Sequence, residues 1–190
     1  MKSVLIIGAS GTIAGQVIAL LADQPELQLT LFLRSARRLR SQPAKARVVE
    51  GDALKYEQLK AAVAGQDIVY VNLAGDLERM AQNVVRAMHE AGVKRVIFIS
   101  SIGIYDTPLR AVLKPYRAAA DVFETSGLDY TILRPTWFTT ANEVDFELTP
   151  KGTPERGSVI SQKSLATFIK QLIEAPEKYV QENLGINKPA

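Results

Sequence analysis

The sequence predicts an α/β fold built around one parallel sheet with helices on both faces. Apolar runs of strand length alternate with amphipathic helical patterns along most of the 190 residues. Several of the helical patterns end in a glycine, and the next apolar run begins soon afterwards. This alternation is typical of βαβ units, whose connections cover a parallel sheet from both sides. Because the length suits one such unit and is too short for a large second one, we predict a single domain over residues 1–190.

The first strand, turn and helix, residues 4–15, are the most informative stretch of the chain. Gly8 permits a tight turn, Gly11 lacks the Cβ that would collide with a phosphate, and Ala14 lets the helix pack closely on the strand. Backbone amides and the positive end of the helix dipole then point to one place, which suits a pyrophosphate. Units without a ligand also use glycine, but the position directly after the first strand favours a dinucleotide. The predicted phosphate-binding residues are Gly8, Ser10, Gly11, Thr12 and Ile13.

The second strand, Leu27–Leu33, ends at a cluster of basic residues. Arg34 and Ser35 are followed by Arg37 and Arg38, and we expect nothing acidic nearby. In a dinucleotide fold the end of this strand faces the adenosine ribose, where a carboxylate selects NAD and a cation accommodates the 2′-phosphate of NADP. An isolated run of arginines is by default a solvated turn. At this position it instead predicts NADP(H), with Arg34 and Ser35 as cofactor-binding residues.

The remaining strands and helices continue the alternation. Further strands are predicted at Arg47–Glu50, Asp67–Asn72, Val96–Ile99 and Tyr130–Leu133. Helical spacing puts apolar residues on one face of a short helix (Leu59, Ala62, Val63) and of a longer one (Leu77, Met80, Val84, Met88). A third helix is predicted from about Pro115 to Ser126, and the three helices end at Gly65, Gly92 and Gly127.

The pattern changes after the sixth strand. Residues 136–160 contain two short strand-like pieces around Lys151–Pro154, which indicate a hairpin, a loop or a flap. Ser161 is predicted to cap a final helix that ends at Pro176. The charged tail after Glu177 leaves open whether one more edge strand follows. The buried face of the final helix is predicted to carry Leu165, Phe168, Ile169, Leu172 and Ile173.

Composition excludes several classes of function. The net charge of +3 reflects the basic stretch of residues 34–47, and no basic recognition helix is visible, so we expect no nucleic-acid partner. With no cysteine and a single histidine, His89, a His–Cys cluster is impossible, and we predict no metal site. No apolar run approaches the roughly 18 residues of a membrane span, and no signal peptide is visible. We therefore expect no membrane association and a cytoplasmic location.

Five motifs together carry a family resemblance. They are Gly8-Ala9-Ser10-Gly11-Thr12-Ile13-Ala14, Gly51-Asp52, Asn72-Leu73-Ala74-Gly75, Ser100-Ser101 and Leu133-Arg134-Pro135. With them, about residues 3–175 resemble the extended or atypical short-chain dehydrogenases/reductases, close to the NmrA-like NADP-binding proteins and the biliverdin/flavin reductases. The resemblance implies a Rossmann-type doubly wound sheet with a small C-terminal extension on the substrate side, and NADP(H) as cofactor.

The same resemblance implies where the rest of the cofactor binds. Asp52 is expected to meet the adenine ring, although it also suits a turn after Gly51, and Gly75 also suits the start of a helix. Ligands bind at the carboxyl ends of parallel strands, which favours contact for both residues. The further cofactor-binding residues implied are Asn72, Leu73 and Ala74 on the adenine-ribose side, together with Ser100 and Pro135.

Catalytic roles are implied for Ser101 and Tyr116. Related enzymes use a serine after the fifth strand to hold the substrate oxygen, a tyrosine on the next helix as proton donor, and a lysine four residues later that lowers the pKa of the tyrosine. Ser101 and Tyr116 fit the first two roles, but the lysine position is Ala120. A tyrosine with a pKa of about 10 is a poor base at neutral pH, so Tyr116 is equally well interpreted as a packing residue. The absence of this lysine disfavours alcohol dehydrogenation and leaves open hydride delivery to an acceptor such as a flavin or quinone.

Three functions follow from these observations. The leading one is an NADPH-dependent reductase of a small planar acceptor, which would stack on the aromatic side chains of the pocket. The alternative is a non-catalytic NADP sensor that reports to a protein partner. A nucleoside-sugar epimerase or dehydratase ranks lower, since about 50 C-terminal residues are too few for its substrate domain. The predicted substrate pocket consists of Ser101, Ile102, Tyr105, Tyr116, Pro135, Thr136, Trp137 and Phe138.

Overall fold

A computed structural model describes residues 1–40 and 42–189 of the chain. Its strands are β1 (Lys2–Ile7), β2 (Leu27–Leu33), β3 (Arg47–Glu50), β4 (Ile68–Val71), β5 (Arg95–Ile99), β6 (Asp129–Pro135), β7 (Trp137–Thr139), β8 (Glu147–Pro150), β9 (Val159–Ser161) and β10 (Glu182–Asn187). Its helices are α1 (Thr12–Leu21), α2 (Tyr56–Val63), α3 (Leu77–Ala91), α4 (Lys114–Glu124) and α5 (Gln162–Glu174). Short 3-10 turns span Ala36–Arg38 and Ala111–Leu113.

The order of the main sheet decides where a ligand binds. Its eight strands follow the order β3-β2-β1-β4-β5-β6-β10-β8. Every neighbouring pair is parallel except β10 and β8, which are antiparallel. The chain builds outward from β1 through β2 and β3, and then returns to the other side of β1 with β4. In open α/β sheets the crevice at such a reversal, beyond the carboxyl ends of the strands, is the usual ligand site.

Helices cover both faces of this sheet, as predicted. In β1, Val4 and Ile6 pack in the core layer that includes α1 and α5, whereas Leu5 and Ile7 pack with α2, α3 and α4. All four side chains are fully buried. A continuous apolar strand of this kind is typical of a parallel sheet that is buried on two sides. The Rossmann-type doubly wound architecture is therefore confirmed.

Local signals place the helix ends correctly. Helix α3 ends at Gly92, whose φ of 71° is left-handed and whose amide donates to the carbonyl of His89 at 3.2 Å. Helix α5 begins after Ser161, whose hydroxyl oxygen accepts from the amide of Ser164 at 2.9 Å. No helix within the described residues is both long and apolar enough to cross a membrane.

The C-terminal part departs from the prediction in two ways. The pieces around residues 151–154 do not form a hairpin, because β8 pairs with β10 while β9 pairs with β7 in a separate two-stranded sheet. The tail does add a strand, β10, but this strand lies between β6 and β8 and not at the edge. Asn183 and Asn187 in β10 are buried, and their amides are hydrogen-bonded to Glu124 and Glu147. These polar residues hide the apolar pattern by which an internal strand is normally found.

Candidate cofactor and substrate site

The turn between β1 and α1 requires glycine at its first position. Gly8 has a φ of 84°, and a Cβ there would lie 2.0 Å from the carbonyl oxygen of Asn72. The amide of Asn72 donates to the carbonyl of Ile7 at 2.9 Å, and the amide of Gly8 donates to the carbonyl of Phe32 at 2.9 Å. These contacts fix the turn against the ends of β4 and β2, on either side of β1.

Helix α1 starts at this turn with its first amides open. Its N-cap is Gly11, which has no side chain to satisfy them, and its first turn contains no acidic residue. The amides of a first helical turn have no acceptor inside the helix, so an anion is favoured there. A Cβ on Gly11 would lie 2.7 Å from the side-chain nitrogen of Asn72. A side chain at Gly11 would therefore have to displace the amide of Asn72.

These features line a cleft of about 590 Å³, here called the first cleft, at the reversal point of the sheet. Most of the predicted cofactor-binding residues line it: Gly8, Ser10, Gly11, Thr12, Ile13, Arg34, Asp52, Asn72, Leu73, Ala74 and Gly75. Three of the predicted residues do not line it. Ser35 precedes the turn at residues 36–38, and Ser100 and Pro135 line a neighbouring cleft. The sequence reasoning did not assign Met80 or Gln162, which also line the first cleft.

Asp52 combines the two interpretations that the sequence allowed. One of its carboxylate oxygens accepts from the amide of Leu54 at 2.9 Å, which is a turn contact. Its own amide donates to the side chain of Gln58 at 3.0 Å, and the residue lines the first cleft. The turn thus holds the carboxylate at the wall of the cleft.

The basic turn after β2 has an acidic neighbour, which corrects the prediction. The carboxylate of Glu50, at the end of β3, accepts from the amide of Ala36 at 2.6 Å. Arg34 is exposed and lines the first cleft. Arg40 was not among the predicted site residues, yet its guanidinium donates to the hydroxyl of Thr12 at the start of α1, at 3.1 Å. Cations therefore approach the cleft from two directions.

A second cleft of about 450 Å³ adjoins the first. Tyr116 and Phe138 line both clefts, so the two meet at these side chains. The second cleft contains all but one of the predicted substrate-pocket residues: Ser101, Ile102, Tyr116, Pro135, Thr136, Trp137 and Phe138. Tyr105 lines an adjoining cleft instead. Its hydroxyl accepts from the side-chain amide of Asn183 at 2.7 Å in a neighbouring polar cluster.

The second cleft has an apolar, accessible mouth and a polar group without a partner. Trp137 is 71% exposed, Val112 64% and Phe138 46%. Thr136 also lines the cleft, and its buried hydroxyl has no hydrogen-bond partner among the described residues. A buried hydroxyl of this kind is commonly satisfied by a water or a ligand. The exposed rings at the mouth of the cleft therefore suit a flat apolar molecule.

The two predicted catalytic side chains lie in this cleft together with Arg110, which is exposed and forms no ion pair among the described residues. The hydroxyl of Ser101 donates to the carbonyl of Ile102 at 3.1 Å. Ala120, at the position of the expected lysine, is fully buried. Arg117 is held by Asp121, to which its Nε donates at 2.8 Å.

Lys114 does not replace the expected lysine from the start of the helix. It is the first residue of α4, not a residue before the helix as predicted, and it is exposed. Residues two positions apart do not share a helix face, so Lys114 and Tyr116 point in different directions.

Comparison with known proteins identifies the family. The profile of a family described as NAD(P)H-binding matches residues 8–176. The chain belongs to the NAD(P)H-binding family. A relative from Bacillus subtilis, described as the uncharacterized sugar epimerase YhfK, is 32% identical over 154 residues, which are 70% of each chain. The NAD(P)H azoreductase of Xenophilus azovorans is 28% identical over 139 residues, or 71% of this chain and about half (48%) of the azoreductase.

Solved structures agree with this membership. A Rossmann-fold NAD(P)-binding family protein from Shigella flexneri is 46% identical, with a TM-score of 0.93 over 100% of this chain and 95% of its own. A short-chain dehydrogenase/reductase from Veillonella parvula, solved in complex with NADP, is 25% identical, with a TM-score of 0.91 over the same shares. The resemblance inferred from the sequence motifs is therefore confirmed.

The residues of the first cleft fit the NAD(P)H of this family. The turn at Gly8 and Gly11 leaves a space that a Cβ would fill, and the open start of α1 suits a pyrophosphate. Asp52 and Arg34 line the same cleft at the ends of β3 and β2, where a dinucleotide places its adenosine half. The individual roles of these residues stay predictions.

Proposed function

We propose that the chain is an NADPH-dependent reductase of a small planar acceptor, such as a flavin, a quinone or a conjugated carbonyl compound. One observation carries the proposal: the cofactor cleft and the apolar second cleft share Tyr116 and Phe138 as walls. When bound, NADPH supplies a hydride. A molecule in the second cleft would be held against the same side chains as the cofactor, and such positioning accounts for a large part of the rate in many enzymes.

The walls of the second cleft support a planar acceptor. Trp137 and Phe138 present accessible rings on which a flat molecule can stack. The hydroxyl of Ser101 can turn from the carbonyl of Ile102 toward a ligand oxygen. These groups orient the acceptor and require no strong proton donor. The similarity to a protein described as an NAD(P)H azoreductase supports the same reaction class.

The charges around the first cleft support NADP in preference to NAD. Arg34 lines the cleft at the end of β2, where a cation accommodates a 2′-phosphate. Among the described residues Arg34 forms no ion pair, so its guanidinium is available to a ligand. The structural neighbour from Veillonella parvula, which contains NADP, adds support.

A second candidate function is a cofactor sensor that binds NADP without turnover and reports to a protein partner. The buried Ala120 favours it, because the lysine that supports the proton-donating tyrosine in related enzymes is absent. The hydrogen bond of Ser101 to a backbone carbonyl favours it too, since the hydroxyl is engaged within the protein.

One assay separates the two functions. NADPH oxidation is followed with flavins, quinones and azo dyes as acceptors, and NADPH binding is titrated calorimetrically in the same sample. A reductase is expected to turn over at least one planar acceptor, and Trp137→Ala should raise the KM for it about three- to tenfold while the Kd for NADPH stays constant. Val144→Ala is the matched control, because Val144 is 49% exposed but does not line the second cleft. Binding without any turnover would reject the reductase in favour of the sensor.

A further inference from the structure

A third cleft of about 580 Å³ extends the second one. Ile102, Gly103 and Asp106 line both, so the second and third clefts form a continuous groove. Arg134 and Glu155 line the third cleft only. The groove thus runs from the cofactor cleft, past the exposed aromatic rings, to a guanidinium group.

This guanidinium is buried and fully engaged. Arg134 is 1% exposed. Its Nε donates to the carboxylate of Glu155 at 2.5 Å, and another nitrogen donates to the carbonyl of Asn183 at 2.8 Å and to the side-chain oxygen of the same residue. The remaining contact is to the carbonyl of Thr149 at 3.5 Å. Every acceptor except Glu155 is neutral, so the balance of charge at Arg134 depends on that one carboxylate.

Neighbouring carboxylates are already paired with other cations. Glu124 accepts from Lys151 at 2.7 Å, and Asp121 accepts from Arg117 at 2.8 Å. A further acid, Asp106, lines the third cleft and forms no ion pair among the described residues, but neither a hydrogen bond nor an ion pair joins it to Arg134. A buried cation without a counter-charge is strongly unfavourable, so the position would take up another anion.

The carboxylate that occupies the position is carried by a surface loop. Glu155 lies in the connection between β8 and β9, where residues 151–154 and 156–158 are all exposed. The side chain of Glu155 reaches inward, to 21% exposure, whereas Lys151 at the start of the connection is tied to Glu124. Because the residues on both sides of Glu155 are exposed, its side chain can turn outward without opening the core of the sheet.

We infer that Arg134 is a subsite for a carboxylate group on the acceptor, and that Glu155 occupies this subsite when no such acceptor is bound. The inference rests on the proposed function and adds a substrate class to it: planar acceptors with a carboxylate side chain. Because a guanidinium binds a carboxylate in a fixed, two-pronged geometry, the acceptor carboxylate can take over the contacts of Glu155.

The first experiment measures thermal unfolding and needs neither cofactor nor turnover. Glu155→Ala should lower the Tm by about 5 to 15 °C, because Arg134 loses its counter-charge. Acetate should then raise the Tm of this variant by about 3 °C or more over chloride at equal ionic strength. Glu143→Ala is the control, since it removes a carboxylate from a more exposed pair with Lys188 and should show no acetate effect. An equal response to acetate and chloride in Glu155→Ala would overturn the subsite.

The second experiment measures turnover of a naphthoquinone with a carboxylate side chain and of its methyl ester. Glu155→Ala removes the carboxylate that competes with the acceptor for Arg134. This variant should therefore have a KM about three- to tenfold lower for the carboxylate and an unchanged KM for the ester. If Glu155→Ala does not fold, Glu155→Gln keeps the hydrogen bond to Arg134 without the charge and serves in both experiments. An unchanged or raised KM for the carboxylate would reject the subsite, while turnover of the ester would still support the reductase.

Discussion

Arg34 gives the sharpest test of cofactor preference at the level of a single residue. Its exposed guanidinium lines the first cleft, and charge-assisted hydrogen bonds of this kind contribute about 1.5 to 3 kcal/mol. Arg34→Ala should therefore weaken NADP binding about ten- to hundredfold and leave NAD binding nearly unchanged, as measured by calorimetric titration. Arg47→Ala is the matched control, because Arg47 carries the same charge but lies at the start of β3 and does not line the first cleft. Equal affinity of the unmodified protein for NAD and NADP would contradict the prediction.

Tyr116 tests whether the chemistry needs a tuned proton donor. Ala120, which is fully buried, stands four residues after Tyr116 at the position where related enzymes have a lysine. General acid–base catalysis contributes about 10²- to 10⁴-fold, so Tyr116→Phe should lower kcat by less than about tenfold. Steady-state kinetics with the best acceptor provides the measurement. A loss of a hundredfold or more, with NADPH affinity intact, would show that a cation from elsewhere supports Tyr116.

Sequence reasoning assigned residues to the site well where the signal was local. The turn at Gly8 and the basic cluster after β2 are each encoded in a few consecutive residues, and the turn and Arg34 of the cluster line the first cleft. Glu50 was missed because its contact with Ala36 joins the end of β3 to the turn after β2, and only the pairing of these two strands brings them together. That Tyr105 lines the adjoining third cleft was not predictable for a similar reason, since its partner Asn183 lies 78 positions away.

At the level of elements, the caps of the helices provide a test that is independent of function. Ser161 accepts from the amide of Ser164 at 2.9 Å and donates to the carbonyl of Glu143 at 2.8 Å, which ties α5 to the preceding loop. Ser161→Ala should lower the free energy of unfolding by about 1 to 2 kcal/mol in urea titrations. Ser158→Ala, at an exposed position shortly before it, should change stability by less than about 0.5 kcal/mol. Equal effects of the two variants would contradict the role of the cap.

Strands and helices were predicted correctly where the apolar spacing and the capping residues lie within the segment itself. The strands β2 and β3 have the predicted bounds, and α3 and α5 bury the predicted faces, because apolar spacing and caps lie within each segment. Strand pairing in the C-terminal part was not predictable in this way. The strands β8 and β9 are neighbours in sequence, yet each pairs with a strand elsewhere in the chain.

The molecule as a whole should lose stability in acid through two paired carboxylates. Burial alone would raise the pKa of Glu124, but hydrogen bonds from Lys151 and Asn183 outweigh it and hold the pKa below its ordinary value. The hydrogen bond from Lys60 is the main cause that lowers the pKa of Glu90 to about 2. A carboxylate whose pKa is lower in the folded state adds stability above its unfolded pKa, and this contribution is lost as the pH falls through the folded pKa.

The unfolding midpoint in urea should accordingly vary little through these groups between about pH 5 and 7 and fall below about pH 4.3. Glu124→Gln should make this fall shallower, because the amide does not take up a proton in this range. Urea titrations of both proteins from pH 7 down to pH 3 measure the difference. An identical acid profile in the variant would show that Glu124 does not contribute.

Because β10 lies inside the main sheet, the sheet cannot be completed until residues 182–187 have been synthesised. This strand, residues 182–187, is the last to be synthesised among those described, yet it fills the gap between β6 and β8. Until it leaves the ribosome, β6 exposes a row of unsatisfied backbone groups, and β8 has no neighbour in the sheet to pair with. Unpaired strand edges are the surfaces on which nascent chains associate with one another. Premature termination before Glu182 would therefore yield a product that aggregates, although its entire nucleotide-binding half had already been made.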